Sequence, residues 1–265
     1  MKKLFFLLSI SGIFLAAEKP VSSKFLHTML NLDNDDFLQM LKLSPTTVDL
    51  TNEEGNTLLF LAVSEGQNEK LKILLNGQLL RQPRTDIVNK SGMSPLHCAA
   101  SRANVFATVE LVKRKVNLKL TDNEGNTPLH CLLKDYERES EILKVGEIIA
   151  GGIYPSKYDY SLLAIEDKAK ETPVDVALKI RNMPAICLFL NICNKPCYEQ
   201  PCQFEDLKKS IKTKILTHFK KEEELLGLVE FSVRIALESH NQQERLIAKL
   251  AKKDYDLKAL QKTKP

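Results

Sequence analysis

Hydrophobic side chains recur along most of the chain at the three- and four-residue spacing of an amphipathic α-helix. The spacing is clear in Leu71, Leu74 and Leu75, which share one helix face. Stretches of this kind predict helices at residues 69–75, 105–113, 140–150 and 184–193, and two shorter ones within residues 24–43. The pattern therefore indicates an all-α chain.

A short motif recurs ahead of these helices. Residues 52–62 reappear in modified form at 89–100 and 122–132, and residues 171–177 form a weaker fourth copy. Gly55, Gly92 and Gly125 lie 37 and then 33 residues apart, and glycine suits a turn with positive φ. The residues two positions later can cap the next helix; they are Thr57, Ser94 and Thr127. A fixed period of this length is typical of repeat proteins.

The third copy reads Gly-Asn-Thr-Pro-Leu-His at residues 125–130, and it resembles the Gly-x-Thr-Pro-Leu-His-x-Ala core of the ankyrin repeat, whose period is about 33 residues. The first copy lacks the proline and the histidine, and the fourth lacks the glycine. The resemblance implies an all-α ankyrin-repeat α-solenoid of about four to five helix-turn-helix repeats, with a C-terminal helical extension.

We therefore predict an ankyrin repeat domain over residues 18–202. Its units are a degenerate N-terminal capping repeat at 18–50 and repeats at 51–88, 89–121, 122–165 and 166–202. The longer unit at 122–165 holds surplus residues, which we place in a loop around 151–160. That loop is either a solvated spacer or a carrier of binding residues.

The first residues resemble an export signal. Lys2 and Lys3 precede an apolar run at residues 4–15, and Ala16 and Ala17 follow it. This arrangement is typical of a secretory signal peptide, and the run is shorter than the roughly 20 residues of a membrane-spanning helix. We predict cleavage after residue 17 and an exported, periplasmic or secreted protein of a bacterium. An uncleaved anchor and a buried first helix are the alternatives.

The resemblance implies a non-catalytic protein that binds a partner protein through its turn tips and concave face. The contact residues carried over from the three better copies are Glu53, Glu54, Asn56, Ser64, Glu65, Lys90, Ser91, Met93, Ser101, Arg102, Asn123, Glu124, Asn126, Lys134 and Asp135. This surface is polar and mixed in sign, which favours a protein partner over nucleic acid. We expect a monomer without a cofactor.

The cysteines and histidines divide into two groups. Resemblance assigns His97 and His130 a structural role in hydrogen bonds between turns, and the adjacent cysteines fill small buried slots, so we predict no metal site. Four other cysteines lie in a proline-rich segment, where an exported protein favours at least one disulfide. The disulfide candidates are Cys187, Cys193, Cys197 and Cys202. Cys187 has the alternative of staying buried on its helix, and zinc is the rival if the protein is not exported. No catalytic motif is present, and we predict no enzymatic activity.

The last segment, residues 203–265, is predicted to be helical and basic. It carries 14 basic and 10 acidic residues, which accounts for the net charge of +4. One apolar stripe comprises Phe204, Leu207, Ile211, Ile215 and Phe219, and further helices are expected at about 222–238 and 242–260. These helices either cap the array or act as an interaction arm. A membrane-surface or structural protein acting through this tail is the alternative function.

Overall fold

The structure, a computed structural model, describes residues 20–77, 79–133, 138–151, 158–194 and 201–219, and the side chains of the last segment from 204 onward. The α-helices in chain order are α1 (Ser23–Leu30), α2 (Asn34–Leu43), α3 (Leu58–Ser64), α4 (Asn68–Leu75), α5 (Pro95–Ser101), α6 (Val105–Lys113), α7 (Pro128–Leu132), α8 (Glu139–Gly151), α9 (Pro173–Lys179), α10 (Met183–Asn194) and α11 (Pro201–His218). Short 3₁₀ helices cover Pro45–Asp49 and Tyr160–Ala164. The predicted second helices are confirmed to within one residue at each end.

The helices of successive units stack in two layers. The first helices of the units (α1, α3, α5, α7 and α9) contact one another in order, and the second helices (α2, α4, α6, α8 and α10) do the same. In the described part of the chain, β-structure is limited to isolated bridges that join Val21 to Asn52 and Thr51 to Thr57. The predicted all-α solenoid is confirmed.

Capping residues begin the first helices where the motif predicts them. The Thr57 hydroxyl accepts a hydrogen bond from the backbone N–H of Phe60 at 3.1 Å, and Ser94 and Thr172 cap α5 and α9 in the same way. Each such bond satisfies a backbone donor that the helix itself leaves unpaired, which stabilises the helix by about 1 kcal/mol. The repeated Ser or Thr thus fixes where each unit starts.

The first two helices bury the apolar residues expected of a capping unit. Leu26 and Met29 of α1 and Phe37 and Met40 of α2 are buried, and they join one core cluster with the residues of the next two units. Burying a side chain of this size stabilises the fold by roughly 1.5–3 kcal/mol. The degenerate sequence at the start therefore still forms a packed pair of helices.

The described end of the predicted loop at 151–160 is not a solvated spacer. Tyr160 and Leu162 in the 3₁₀ helix Tyr160–Ala164 are buried, and Tyr158 packs against the same core. The Tyr160 ring lies 5.6 Å from the Phe204 ring between centroids, and the Lys208 ammonium sits 4.5 Å above the Tyr160 ring. Residues 152–157 lie outside the described part. The 3₁₀ helix Tyr160–Ala164, with Tyr158 before it, packs under the helix that follows the repeats.

That helix, α11, closes the end of the array. Ile211, Ile215 and Phe219 are buried in the core cluster of the last two units, as the predicted stripe requires. Lys214 adds an ion pair to Asp175 of α9. Residues 204–219 therefore act as a cap, whereas the helices predicted beyond residue 219 lie outside the described residues. Among the described helices, the combination of length and apolar composition that a membrane crossing requires is absent.

Candidate functional site

Each unit presents a tip, the turn that precedes its first helix, and all four tips share one geometry. In the first, the Asn52 side-chain oxygen accepts hydrogen bonds from the backbone N–H groups of Glu54 (3.1 Å) and Asn56 (2.8 Å). The equivalent residues in the other tips are Asn89, Asp122 and Asp167. The sequence motif that predicts the tips does not include this position. Its signal is an Asn or Asp three residues before the motif glycine, or before Lys170 in the fourth tip, a residue type that stabilises turns through its own side chain.

The glycines of the tips satisfy two requirements at once. Gly92 has φ of +75° and Gly125 has φ of +81°, a region that other residues enter only with strain. A Cβ atom on Gly92 would also lie 2.6 Å from the backbone nitrogen of Asn123 in the next tip. Glycine is therefore needed both for the turn itself and for the close approach of its neighbour.

Backbone hydrogen bonds join the tips into a ladder. Each runs from an N–H group of one tip to a carbonyl of the preceding tip. The donor and acceptor pairs are Lys90 with Glu54 (2.8 Å), Asn123 with Ser91 (3.0 Å) and Lys168 with Glu124 (3.0 Å). Since backbone geometry is fixed in this way, the exposed side chains of neighbouring tips are held at a set spacing on one rigid edge.

The motif histidines connect each first helix to the next tip. In His97, Nδ1 accepts the backbone N–H of Ser94 at 3.2 Å, so Nε2 carries the proton and donates to the Asn126 carbonyl at 3.0 Å. His130 pairs with the Glu171 carbonyl at 3.1 Å. Burial lowers the pKa of His97, which keeps the imidazole neutral at physiological pH. The predicted structural role of these histidines is confirmed.

Most of the predicted contact residues lie on the exposed surface formed by the tips and the C-terminal ends of the first helices, here called the inner face. The exposed ones are Glu53, Glu54, Glu65, Lys90, Ser91, Arg102, Asn123 and Glu124, and those of intermediate exposure are Asn56, Ser64, Met93 and Ser101. Lys134 and Asp135 lie outside the described residues. The inner face thus brings together residues from three consecutive units.

Asn126 is a correction to the predicted set. It is only 8% exposed. Its side-chain amide nitrogen donates to the Asp122 carboxylate at 3.0 Å, and its backbone carbonyl accepts the hydrogen bond from His97 Nε2. The tip position directly before the capping residue faces into the array, and Met93 at the same position packs against the core. Asn126 therefore belongs to the scaffold of the turn and is not exposed to a partner.

Several acidic residues of the inner face bind within the chain. The Glu53 carboxylate accepts hydrogen bonds from the backbone N–H (3.0 Å) and the hydroxyl (3.1 Å) of Ser23, and Glu54 accepts the same hydroxyl at 2.8 Å. Bonds from its own backbone amide and then from Ser23 lower the pKa of Glu53. Glu65 pairs with His27 at 2.6 Å. The acidic side chains of the first tip and of α3 thereby hold α1 in place.

Two of the four disulfide candidates, Cys187 and Cys193, are thiols in the structure, and for Cys187 this is the predicted alternative. Both are buried thiols on α10, and burial raises the pKa of Cys187 to about 12 and that of Cys193 to about 11. Six residues on an α-helix correspond to a rise of about 9 Å, which is too far for a disulfide between the two. Cys197 and the side chain of Cys202 lie outside the described residues, so their pairing stays a prediction.

Among the described residues, no group of three or more His, Cys, Asp or Glu side chains is arranged to hold a metal ion. His97 and His130 are occupied by hydrogen bonds to the next tip, and Cys98 and Cys131 are buried beside them. The chemistry that the inner face offers is therefore that of exposed polar and charged side chains on a rigid backbone.

Comparison with known proteins agrees with this architecture. Residues 26–101 match the family model described as ankyrin repeats, in three copies. Rabankyrin-5 from Mus musculus is 25% identical over 170 residues, which cover 59% of this chain and 14% of that protein. The chain thus spans a small part of the length of this relative. Residues 26–101 carry ankyrin repeats, and the described chain has the fold of an ankyrin helical solenoid.

Proposed function

We propose that this chain is a non-catalytic binding protein that engages a partner protein through the tips and first-helix ends of its inner face. Ankyrin repeats generally mediate protein–protein interaction, and proteins built from them are typically not enzymes. The observation that carries the proposal is the ladder of backbone hydrogen bonds between tips. It fixes the backbone of tip residues such as Lys90 and Glu124, and a preorganised backbone loses little conformational entropy when it binds.

The test compares two charge-matched pairs of substitutions in the full-length chain. Lys90→Ala with Glu124→Ala removes one basic and one acidic side chain from adjacent tips. Lys72→Ala with Glu69→Ala removes the same charges from α4 in the other layer, where they form an exposed ion pair. Partners are first captured from envelope and extracellular fractions and identified by mass spectrometry. Their affinities are then measured by surface plasmon resonance.

The tip pair should weaken binding of a specific partner at least about fivefold, because contacts at an interface centre contribute about 1 kcal/mol or more each. The α4 pair should leave the affinity within a factor of about two, as expected outside an interface. If the two pairs behave alike with every captured partner, the inner face is not the binding surface.

We also propose that residues 1–17 direct export, which places the mature protein in the periplasm or outside the cell. Support comes from the basic start, the apolar run and the small residues that follow it. The intact mass of the mature protein tests this directly, because a chain that starts at residue 18 differs from the full-length chain by the mass of the signal. Recovery of only the full-length mass from the producing cell contradicts cleavage at this point.

The membrane-surface alternative needs apolar side chains that are free to contact lipid, and α11, the first helix of the tail, does not offer them. The apolar stripe of α11 already lies in the core, so those side chains are not available to insert into a lipid surface. The alternative then depends on residues 220–265, which lie outside the described part. Liposome co-sedimentation with and without residues 220–265 distinguishes the two functions, since a protein-binding inner face predicts the same low sedimentation for both.

A further inference from the structure

The inner face changes sign between the first and the second tip. The exposed charged residues of the first tip and the end of α3 are Glu53, Glu54 and Glu65. Those of the second tip and the end of α5 are Lys90 and Arg102. The acidic group is used within the chain, by Ser23 and by His27. In the basic group, Arg102 has a neutral partner, because one of its Nη atoms donates to the Ser64 hydroxyl at 3.2 Å.

Two arginines are held in place along this surface. Arg102 follows the last residue of α5 and reaches back to Ser64, the last residue of α3. Arg138 precedes α8 and donates from Nη1 to the Arg102 carbonyl at 2.6 Å. Each guanidinium therefore lies at the C-terminal end of the first helix of the preceding unit, where the helix dipole favours a positive charge. Arg102 and Arg138 are both exposed.

We propose that the surface of Lys90, Arg102 and Arg138 binds an acidic, extended segment of the partner protein, an inference that rests on the proposed function of the inner face. A guanidinium has five N–H donors in a fixed plane, a geometry that matches a carboxylate. A hydrogen bond to the chain restrains each arginine and so reduces the entropy that its side chain loses on binding. The two arginines come from adjacent units, so carboxylates spaced along one peptide meet them in turn.

The composition of this surface favours an acidic peptide over a nucleic acid. A polyanion following the tips and helix ends would meet Glu65 on one side of the basic residues and Glu124 on the other. A base would also need an aromatic side chain to stack on. The described second and third tips have none, and neither do the neighbouring positions, which are Ser101, Arg102 and Arg138. An acidic peptide carries each carboxylate on its own flexible side chain, which can turn away from these two acidic residues, and it needs no aromatic side chain to stack on.

The test uses a fluorescein-labelled oligoglutamate of about ten residues, which spans roughly 33 Å when extended and so covers three units at about 10 Å each. Fluorescence anisotropy measures its binding to the full-length chain at about 50 mM and about 200 mM salt. An oligolysine and an oligodeoxyadenylate of the same length serve as comparison probes. The variants are Arg102→Gln with Arg138→Gln, and a control pair, Lys72→Gln with Lys113→Gln, which removes the same charge from α4 and α6.

The arginine pair should raise the Kd for oligoglutamate about tenfold or more, because it removes two charge-assisted contacts. The control pair should change the Kd less than about twofold, and higher salt should weaken binding to the unchanged chain. Arg102→Lys with Arg138→Lys keeps the charge and should retain part of the affinity. Urea unfolding of each variant shows whether it folds.

Four results overturn the proposal: no oligoglutamate binding by the unchanged chain, equal loss in the control pair, tighter binding of oligolysine, or equally arginine-dependent binding of the oligonucleotide. None of these contradicts the proposed function, which fails if Lys90→Ala with Glu124→Ala and the α4 control pair change the affinity of every captured partner alike. A partner that is sensitive to the tip pair but not to Arg102→Gln with Arg138→Gln supports the proposed function and rejects the acidic segment.

Discussion

Replacing Gly92 by alanine tests whether the approach of neighbouring tips determines which glycines are essential. Gly92 and Gly66 both have positive φ, +75° and +68°. A Cβ on Gly92 would lie 2.6 Å from the Asn123 backbone nitrogen, whereas a Cβ on Gly66 has no atom within 4 Å among its described surroundings. The two glycines therefore share the conformational requirement and differ in the contact with a neighbour.

The magnitudes follow from these geometries. An alanine held in the left-handed region costs roughly 1–2 kcal/mol at either position. At Gly92 the next tip must also move, which disturbs two hydrogen bonds of Asn123, from its backbone N–H to Ser91 and from its amide to Lys90. At about 1 kcal/mol for each bond, Gly92→Ala should destabilise the fold by roughly 3–4 kcal/mol and Gly66→Ala by roughly 1–2 kcal/mol.

Urea unfolding of both variants, followed by circular dichroism at the helical band, measures the difference. If the slope of the unfolding free energy against urea concentration is the same in both variants, the two values compare the same folded and unfolded states. Equal destabilisation by the two substitutions would refute the reasoning, because it would mean that the neighbouring tip adapts without loss. A larger loss at Gly66 would refute it as well.

Three further predictions concern α11, the buried histidine and the buried thiols. Ile215→Ala should lower the free energy of unfolding by about 2–5 kcal/mol, whereas Leu216→Ala, 53% exposed beside it, should stay within about 0.5 kcal/mol; urea unfolding checks both. Burial lowers the pKa of His97 below its ordinary 6.5, so the stabilising effect of this histidine should be present above pH 6.5 and be lost on acidification. The free energy of unfolding, measured as a function of pH, should therefore fall less on acidification in His97→Gln than in the unchanged chain. With pKa values of about 12 and about 11, Cys187 and Cys193 should resist maleimide near pH 8 in the folded protein and react after unfolding, as peptide mapping shows; rapid labelling in the folded state contradicts their burial.

The elements that sequence analysis predicted well are those that local pattern determines. Helical spacing located α4, α6 and α10 to within one residue at each end. The stripe of α11 named three residues that are buried and two that pack against the core with intermediate exposure. These features depend only on residues a few positions apart. The repeat motif likewise located the tips, since each tip is closed by its own Asn or Asp side chain and the first three also contain a glycine.

Other features depend on contacts between distant parts of the chain. Asn126 has the composition of a solvated tip residue, yet the His97 bond and the Asp122 carboxylate bury it. Tyr160 lies in what looks like a loop because its partners Phe204 and Lys208 follow more than 40 residues later. The His97 bond to Asn126 spans 29 residues and the partners of Tyr160 lie farther still, so no local pattern encodes these contacts.

Two residues of the fourth unit bear on how the array could be lengthened. Lys170 has the left-handed conformation that glycine has in the other tips. Asp175 occupies the helix position of His97 and His130, and it pairs with Lys214 of α11 instead of with a following tip. Within the described part of the chain, no tip follows the fourth, so neither a glycine nor a histidine is required there. An engineered extra repeat should therefore be inserted between the third and fourth units, because a repeat added after the fourth would meet a lysine and an aspartate built to end the array.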